Sequence, residues 1–197
     1  MKIQLTVFAL IMALMFLFGC GDSTKEEWPF KSNPELLSEE CELTQAGKWF
    51  CPPIGFEPAP DSILILLQQT LSATNDNNEN VTMTHVFFDT LQQAGLLLTQ
   101  IHGLTLETDT ALFLENYLLS LNRLYSETGV QDSSAISDSL VIRYYSVSDG
   151  TIARFQAVCM THQEDAVEFN FFCPDAKFAE LLPRFKSSLG TLKILSE

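Results

Sequence analysis

The chain has 197 residues, of which 46% are hydrophobic and 18% charged, so it has enough apolar side chain for one ordinary domain and is not a largely disordered chain. Acidic residues outnumber basic ones by 25 to 11, which gives a formal net charge of −14. Nucleic-acid binding needs clustered lysine and arginine, so this balance predicts no nucleic-acid partner, and the sequence has no long internal apolar run of the kind found in polytopic membrane proteins.

The first nineteen residues have the pattern of an export signal. Lys2 provides a short basic start, and residues 3–18 form an apolar core slightly shorter than the ~20 residues that span a bilayer comfortably. Residues 17–20 read Leu-Phe-Gly-Cys. This ending resembles the lipobox of bacterial lipoproteins, in which an aliphatic residue and two small residues precede an invariant cysteine, although Phe18 is larger than the residue usual at its place.

The resemblance implies that Cys20 is acylated with palmitate-type chains and becomes the mature N-terminus, with residues 1–19 removed as a lipoprotein signal peptide. Three acyl chains would hold the protein stably in a membrane, since each buried CH₂ contributes ~0.8 kcal/mol. Gly21, and not an aspartate, follows the cysteine, so the resemblance favours the outer membrane over the inner membrane, with the protein facing the periplasm. An uncleaved N-terminal membrane helix and a secretory peptide cut elsewhere are the alternatives.

A polar segment separates this leader from the rest of the chain. Residues 20–45 are predicted to be a flexible spacer, and residues 46–197 to form a single domain. Trp28-Pro29-Phe30 interrupts the spacer with three apolar residues. We expect a local contact with the domain there, and the alternative is a docking site for a partner.

Four cysteines remain beyond the lipobox, and an even number in an exported chain suggests disulfide bonds. Cys41 and Cys51 enclose a short loop and are the preferred pair. Cys159 and Cys173 fall in two strands of a predicted hairpin, about six residues or roughly 20 Å out of register, which is too far for a bridge. In the preferred arrangement Cys159 and Cys173 are therefore two buried thiols. Crossed bridges from Cys41 and Cys51 to the two strand cysteines are the alternative.

The first half of the domain gives mixed signals. Residues 62–71 contain five consecutive aliphatic residues, which fit either a buried strand or a short helix. Strands are predicted over 81–88 and 91–103, and the clearest helix over 109–128. The apolar positions of this helix recur at helical spacing and are Ala111, Leu114, Leu118, Leu121 and Tyr125.

The second half changes to the period of two that is typical of strands. Three consecutive strands are predicted over 139–147, 151–160 and 166–173. A helix from 174 to 190 follows, and then an edge strand over 191–195. The apolar stripe of this helix consists of Phe178, Leu181, Leu182, Phe185 and Leu189.

These elements predict an α+β domain, an antiparallel β-sheet covered by two main helices. The order of a long central helix, three consecutive strands and a closing helix that contains Leu181-Leu182-Pro183-Arg184-Phe185 resembles the PsbP-like family, including the DcrB-like periplasmic lipoproteins. The resemblance covers roughly residues 48–197. It implies an α/β/α sandwich with an accessory or binding role and without catalysis.

Candidate chemistry is sparse. His85, His102 and His162 are not at metal-binding spacing, and we expect the first two to be packed or hydrogen-bonded and the third to lie in a solvated turn. Residues 76–80 begin like a calcium loop but lack its later glycine and glutamate, and the acidic pair at 164–165 is expected to be solvated. The sequence therefore predicts no catalytic residue, no metal and no cofactor.

The predicted function is that of a non-enzymatic lipid-anchored envelope lipoprotein, an accessory or binding module that meets an unidentified envelope protein. One alternative is a periplasmic carrier or sensor of a small apolar ligand, bound among the 15 phenylalanines between the sheet and helix 109–128. Another is an envelope hydrolase, which would need a serine, a histidine and an aspartate within hydrogen-bonding reach in one cleft.

Overall fold

The computed structural model describes residues 30–39, 41–43, 48–74, 81–103, 131–136, 141–160 and 165–194. The helices within these ranges are α1 (Asp61–Thr74) and α2 (Phe178–Leu189), and short 3₁₀ turns cover Pro34–Leu36 and Asp175–Lys177. The strands are β1 (Cys41–Leu43), β2 (Lys48–Phe50), β3 (Glu57–Pro58), β4 (Val81–Asp89), β5 (Ala94–Ile101), β6 (Gln131–Ile136), β7 (Val141–Ser148), β8 (Ile152–Met160), β9 (Ala166–Pro174) and β10 (Lys193–Ile194).

Seven of these strands form one sheet with the order β3-β4-β5-β9-β8-β7-β6, and all neighbours are antiparallel. The predicted α+β class is therefore confirmed. Of the six strands predicted in the domain, the first five correspond to β4, β5, β7, β8 and β9 of this sheet. Strand β5 begins later than predicted, at Ala94, because residues 90–93 form the turn from β4.

The aliphatic run that periodicity left undecided is helical and forms most of α1. The helix lies along the outer edge of β4, where the Gln68 side-chain oxygen accepts a hydrogen bond from the Met83 backbone N–H at 2.6 Å. The two-residue strand β3 pairs only with the far end of β4, opposite Phe87 and Phe88. The helix therefore satisfies part of a sheet edge that would otherwise be unpaired.

The core lies between the sheet and α2. Phe169 and Phe171 of β9 are fully buried, and Phe185 of α2 stacks on Phe171 with ring centroids 4.6 Å apart. Leu181 and Leu189 belong to the same cluster, so the apolar stripe predicted for the closing helix is confirmed at these positions. The phenylalanines on this face fill the core, in agreement with their preferred interpretation.

The segment before β1 packs against α2 and the sheet. Phe30 is only 4% exposed, and its ring meets that of Tyr144 edge-on at 4.9 Å. The Asn33 backbone N–H donates to the Ser187 hydroxyl at 2.7 Å, and this hydroxyl donates back to the Asn33 carbonyl at 3.2 Å. The local contact expected for this segment is confirmed at Phe30.

Residues 30–38 fall inside the range predicted to be a spacer, yet backbone hydrogen bonds join them to the domain. The Ser38 N–H donates to the Pro52 carbonyl at 2.8 Å, and the Ile54 N–H donates to the Leu36 carbonyl at 2.9 Å. The part of the predicted spacer that precedes this packed segment, residues 20–29, lies outside the described residues and stays a prediction.

The last strand belongs to a small second sheet with the order β1-β2-β10. The edge strand predicted at the end of the chain is thus present as Lys193–Ile194, which pairs antiparallel with β2. The helix predicted over 109–128 lies outside the described residues. In the part of the chain that the structure describes, none of the helices has the length and apolar character needed to cross a membrane.

Candidate functional site

Three strand ends meet at one end of the main sheet. Val81 of β4 lies opposite Ile101 of β5, and Ile101 lies opposite Ala166 of β9. His102 directly follows Ile101, and Asp165 directly precedes Ala166. The strand pairing therefore brings the His102 and Asp165 side chains together although they are 63 positions apart in the sequence.

A threonine completes the cluster. The Thr82 hydroxyl oxygen lies 3.0 Å from His102 Nε2, and His102 Nδ1 lies 2.7 Å from Asp165 Oδ2. The same carboxylate accepts hydrogen bonds from Gln100 Nε2 at 3.0 Å and from the Gly103 backbone N–H at 2.8 Å. We call this hydroxyl–imidazole–carboxylate arrangement the Thr82–His102–Asp165 triad.

The state of the Asp165 carboxyl indicates which ring nitrogen of His102 carries a proton. Burial raises the pKa of the Asp165 carboxyl, but hydrogen bonds from Gly103, His102 and Gln100 outweigh burial and bring this pKa below its ordinary value of 3.8. An ionised carboxylate can only accept, so a His102 ring with a single N–H donates from Nδ1 and leaves Nε2 as an acceptor for the Thr82 hydroxyl. The triad thus has one defined tautomer.

This order of donors and acceptors is the one used by hydroxyl nucleophiles in acyl transfer. A carboxylate orients an imidazole, and the imidazole removes the hydroxyl proton. The triad is also reachable from solvent, since the side chains of His102 and Asp165 are 42% and 29% exposed. The arrangement can hold a proton on Nε2 and return it.

The outcome for the sequence-based expectations is mixed at this site. The prediction that His102 is hydrogen-bonded is confirmed. Asp165, which was expected to be solvated, keeps 29% of its side chain exposed, but the β5–β9 pairing also places its carboxylate against His102 and Gly103. The hydrolase alternative required a serine, and the hydroxyl found here belongs to Thr82. No local motif marks Thr82, because its contact depends on strand register.

The other histidines do not join this site in the described structure. His85 stacks on Phe87 with centroids 6.1 Å apart, which confirms the packing expected for it, and burial lowers the pKa of its imidazole. His162 and the calcium-loop-like residues 76–80 lie outside the described residues. Within the described ranges no group of three or more histidine, cysteine and acidic side chains could hold a metal ion.

The strand cysteines Cys159 and Cys173 are both buried. Cys159 lies opposite Val167, as the predicted hairpin required, and Cys173 lies opposite Ala153, so these two cysteines cannot bridge. Burial, with a smaller effect from the Asp175 charge, raises the pKa of Cys173 to about 11, which keeps this thiol protonated at neutral pH.

The predicted pair Cys41–Cys51 is not bridged in this structure, in which Cys51 carries a free thiol. The β1–β2 register places Cys41 opposite Phe50, the neighbour of Cys51, and not opposite Cys51 itself. A disulfide between them in an oxidising compartment stays a prediction. The lipidation site predicted from the sequence, Cys20, lies outside the described residues.

Comparisons with known proteins add one finding. No protein-family model matches the chain, and no curated protein matches it. A solved structure does match: the solution structure of cyanobacterial PsbP (CyanoP) from Synechocystis sp. PCC 6803. The TM-score is 0.52 at 12% identity, over 81% of this chain and 93% of that chain.

The chain has a PsbP-like fold. At 12% identity the likeness shows the fold alone, and the architecture expected from the order of elements is confirmed. It transfers no binding or catalytic residue to this chain. The chemistry of the described site therefore has to be argued from its own geometry.

Proposed function

We propose that this protein is a lipid-anchored bacterial envelope protein, whose PsbP-like domain serves as an accessory or binding module for another envelope protein. The observation that carries the proposal is the sequence Leu-Phe-Gly-Cys at residues 17–20, directly after an apolar leader with a basic start. Cys20 is the acylated residue, and the domain faces the periplasm from the outer membrane.

The described structure is compatible with a short tether. Phe30 is the first described residue and is buried against the domain, so the tether is at most the ten residues 20–29, counted with the acylated cysteine itself. Fully extended, ten residues reach at most ~35 Å. The tether would therefore hold the domain within about one domain diameter of the bilayer and restrict its search for partners to the membrane surface.

The charge of the chain favours a protein partner over the lipid headgroups. Removal of residues 1–19 takes away one basic residue, Lys2, and no acidic residue, which leaves 10 basic and 25 acidic residues and a net charge of −15. Such a domain is repelled by anionic lipid, so the acyl chains do the anchoring and the domain surface stays available for a partner.

The test is acylation of the full chain in a bacterial host supplied with an alkyne analogue of palmitate. We expect the wild type to take up the label, to fractionate with membranes and to begin at Cys20 by mass spectrometry, and Cys20→Ser to lose the label and the start at residue 20. Cys51→Ser is the matched control, since Cys51 is a half-buried thiol of the domain, and it should keep them. Labelling that persists in Cys20→Ser, or an intact leader on the wild type, would refute the proposal.

A further inference from the structure

We propose that the Thr82–His102–Asp165 triad is a hydrolytic site for small uncharged carboxylic esters. This activity goes beyond the anchoring and binding role proposed above, and it does not depend on that role. It concerns three side chains that come from the start of β4, the end of β5 and the residue before β9.

The geometry supports a proton-removing imidazole. His102 Nδ1 is 2.7 Å from the Asp165 carboxylate, and Nε2 is 3.0 Å from the Thr82 hydroxyl, both within hydrogen-bonding range. Because Asp165 also accepts from the Gly103 backbone N–H, its carboxylate is fixed and holds the ring in one orientation. Nucleophile, base and orienting group thus stand in the order that hydroxyl nucleophiles need.

A purely structural role would not require this order. To tie β5 to β9, the hydrogen bonds from Gly103 and Gln100 to Asp165 already suffice. The contact of His102 with Thr82 adds nothing to the tie between β5 and β9, because Thr82 lies on β4. It involves Nε2, the ring nitrogen whose lone pair can accept a proton. The solvent exposure of His102, 42%, also leaves a path for substrate and for water.

The charge and shape of the site limit which esters it can accept. The carboxylate of Asp165 and the net charge of −14 of the chain repel phosphate esters and other anions. The methyl group on the branched Cβ of Thr82 crowds its hydroxyl, which favours a short acyl group over a bulky one. An uncharged ester with a small acyl group meets both conditions.

In the first half of the reaction, Thr82 Oγ1 bonds to the ester carbonyl carbon as its proton passes to His102 Nε2. The tetrahedral intermediate then expels the alkoxide, which takes that proton and leaves as the alcohol, so that Thr82 carries the acyl group. In the second half, water from solvent attacks the acyl carbon and gives its proton to Nε2. Thr82 Oγ1 leaves with that proton, and the net products are one acid and one alcohol.

The experiment measures hydrolysis of p-nitrophenyl acetate by the purified full chain in detergent, as p-nitrophenol released per protein above the buffer rate. We expect Thr82→Val, which keeps the shape and removes the hydroxyl, to lower this rate at least ~100-fold, and Thr82→Ser to retain it within ~10-fold. Asp165→Asn should lower it by a similar factor, because an amide N–H facing Nδ1 selects the wrong tautomer.

Two further readouts separate catalysis from folding. A fluorophosphonate probe should form an adduct on Thr82 that peptide mass spectrometry detects. His162→Asn is the matched control for hydrolysis by a histidine outside the triad and should keep the wild-type rate. Urea unfolding of each variant checks that the fold is intact.

The proposal fails if Thr82→Val hydrolyses the ester at the wild-type rate. It fails equally if the folded wild type shows no rate above buffer and no adduct on Thr82, or if the adduct lies on another residue. These outcomes leave the acylation of Cys20 untouched, so the two proposals stand or fall separately.

Discussion

His85 and His102 lie in contrasting surroundings. His102 has oxygen partners at both ring nitrogens, whereas His85 stacks on Phe87 and its Nδ1 is buried with no hydrogen-bond partner in the described structure. Burial penalises the charged form of an imidazole, so the pKa of His85 is lowered from its ordinary 6.5. A histidine of this kind makes the stability of a protein sensitive to acid.

The sign follows from proton linkage. Below pH 6.5 the unfolded chain binds a proton at His85 that the folded chain does not, so the free energy of unfolding falls as the pH falls from 6.5 to the lowered pKa. One such group changes this free energy by at most ~1.4 kcal/mol per pH unit. We expect His85→Gln, which does not titrate, to have a smaller loss of stability between pH 7 and 5.5, measured as the urea midpoint.

Asp149 supplies the internal control, because hydrogen bonds from the Ile152 and Thr151 backbone N–H groups hold its pKa below 3.8, and its stabilising effect is lost only as the pH falls through that lower range. Asp149→Asn should therefore leave the change between pH 7 and 5.5 as it is in the wild type. Equal slopes for the wild type and His85→Gln in that window would show that His85 is not the acid-sensitive group.

At this scale the sequence predicts a residue's environment better than its partner. The sequence places both His85 and His102 in predicted strands, and from this we expected each of them to be packed or hydrogen-bonded. The contact of His102 with Asp165 required the pairing of β5 with β9, two strands separated by 64 residues, from Ile101 to Ala166, and no local signal in the sequence states that pairing.

The two described helices differ in the contacts that join them to the rest of the domain. In α2 the apolar residues form one stripe that ends in the core, with Leu181, Phe185 and Leu189 at most 1% exposed. In α1 the aliphatic residues occur consecutively, so they cover several sides, and Ile65 and Leu66 are more than half exposed. Periodicity therefore predicted α2 and could not decide α1. Helix α1 is joined to the edge of β4 by its Gln68 side chain, whose Oε1 accepts from the Met83 N–H and whose Nε2 donates to the Val81 carbonyl.

The stripe of α2 gives a stability prediction. Phe185 is fully buried and stacks on Phe171, so Phe185→Ala removes both apolar burial and a ring contact and leaves a cavity. We expect it to lower the free energy of unfolding by ~3–5 kcal/mol in urea titrations. Leu182→Ala on the same helix is the matched control, since Leu182 is only partly buried, and should cost clearly less. Equal costs for the two would contradict this account of the core.

For the whole molecule, the order of the strands in the main sheet could not be predicted from the sequence. Local period and turns predicted five strands of the main sheet, but the pairing of β5 with β9 joins elements that are distant along the chain. The packing of residues 30–38 was missed for a similar reason, because this segment is polar apart from a few residues and gains its order by contact with α2 and β7. Only the burial expected for Phe30 pointed to it.

That contact depends on the small size of Gly190, directly after α2. A Cβ at this position would lie 2.6 Å from the Ser32 backbone nitrogen and 3.0 Å from the Phe30 carbonyl oxygen, and backbone atoms cannot rotate away. The φ of Gly190 is −65°, which any residue can adopt, so glycine is needed here for space and not for conformation.

Gly190→Ala consequently tests the docking of the N-terminal segment, because docking decides whether this substitution raises or lowers the free energy of unfolding. At a position with permissive backbone angles and free space, Gly→Ala stabilises a protein by ~0.4–1 kcal/mol through the unfolded state. With the segment docked as described, we expect a loss of about 1–3 kcal/mol in urea unfolding and faster proteolysis within residues 30–39. Phe30→Ala, which weakens the same docking from the other side, should give the same cleavage pattern. A stabilised Gly190→Ala with unchanged proteolysis would mean that residues 30–32 do not rest on Gly190, and that the tether between membrane and domain is longer than ten residues.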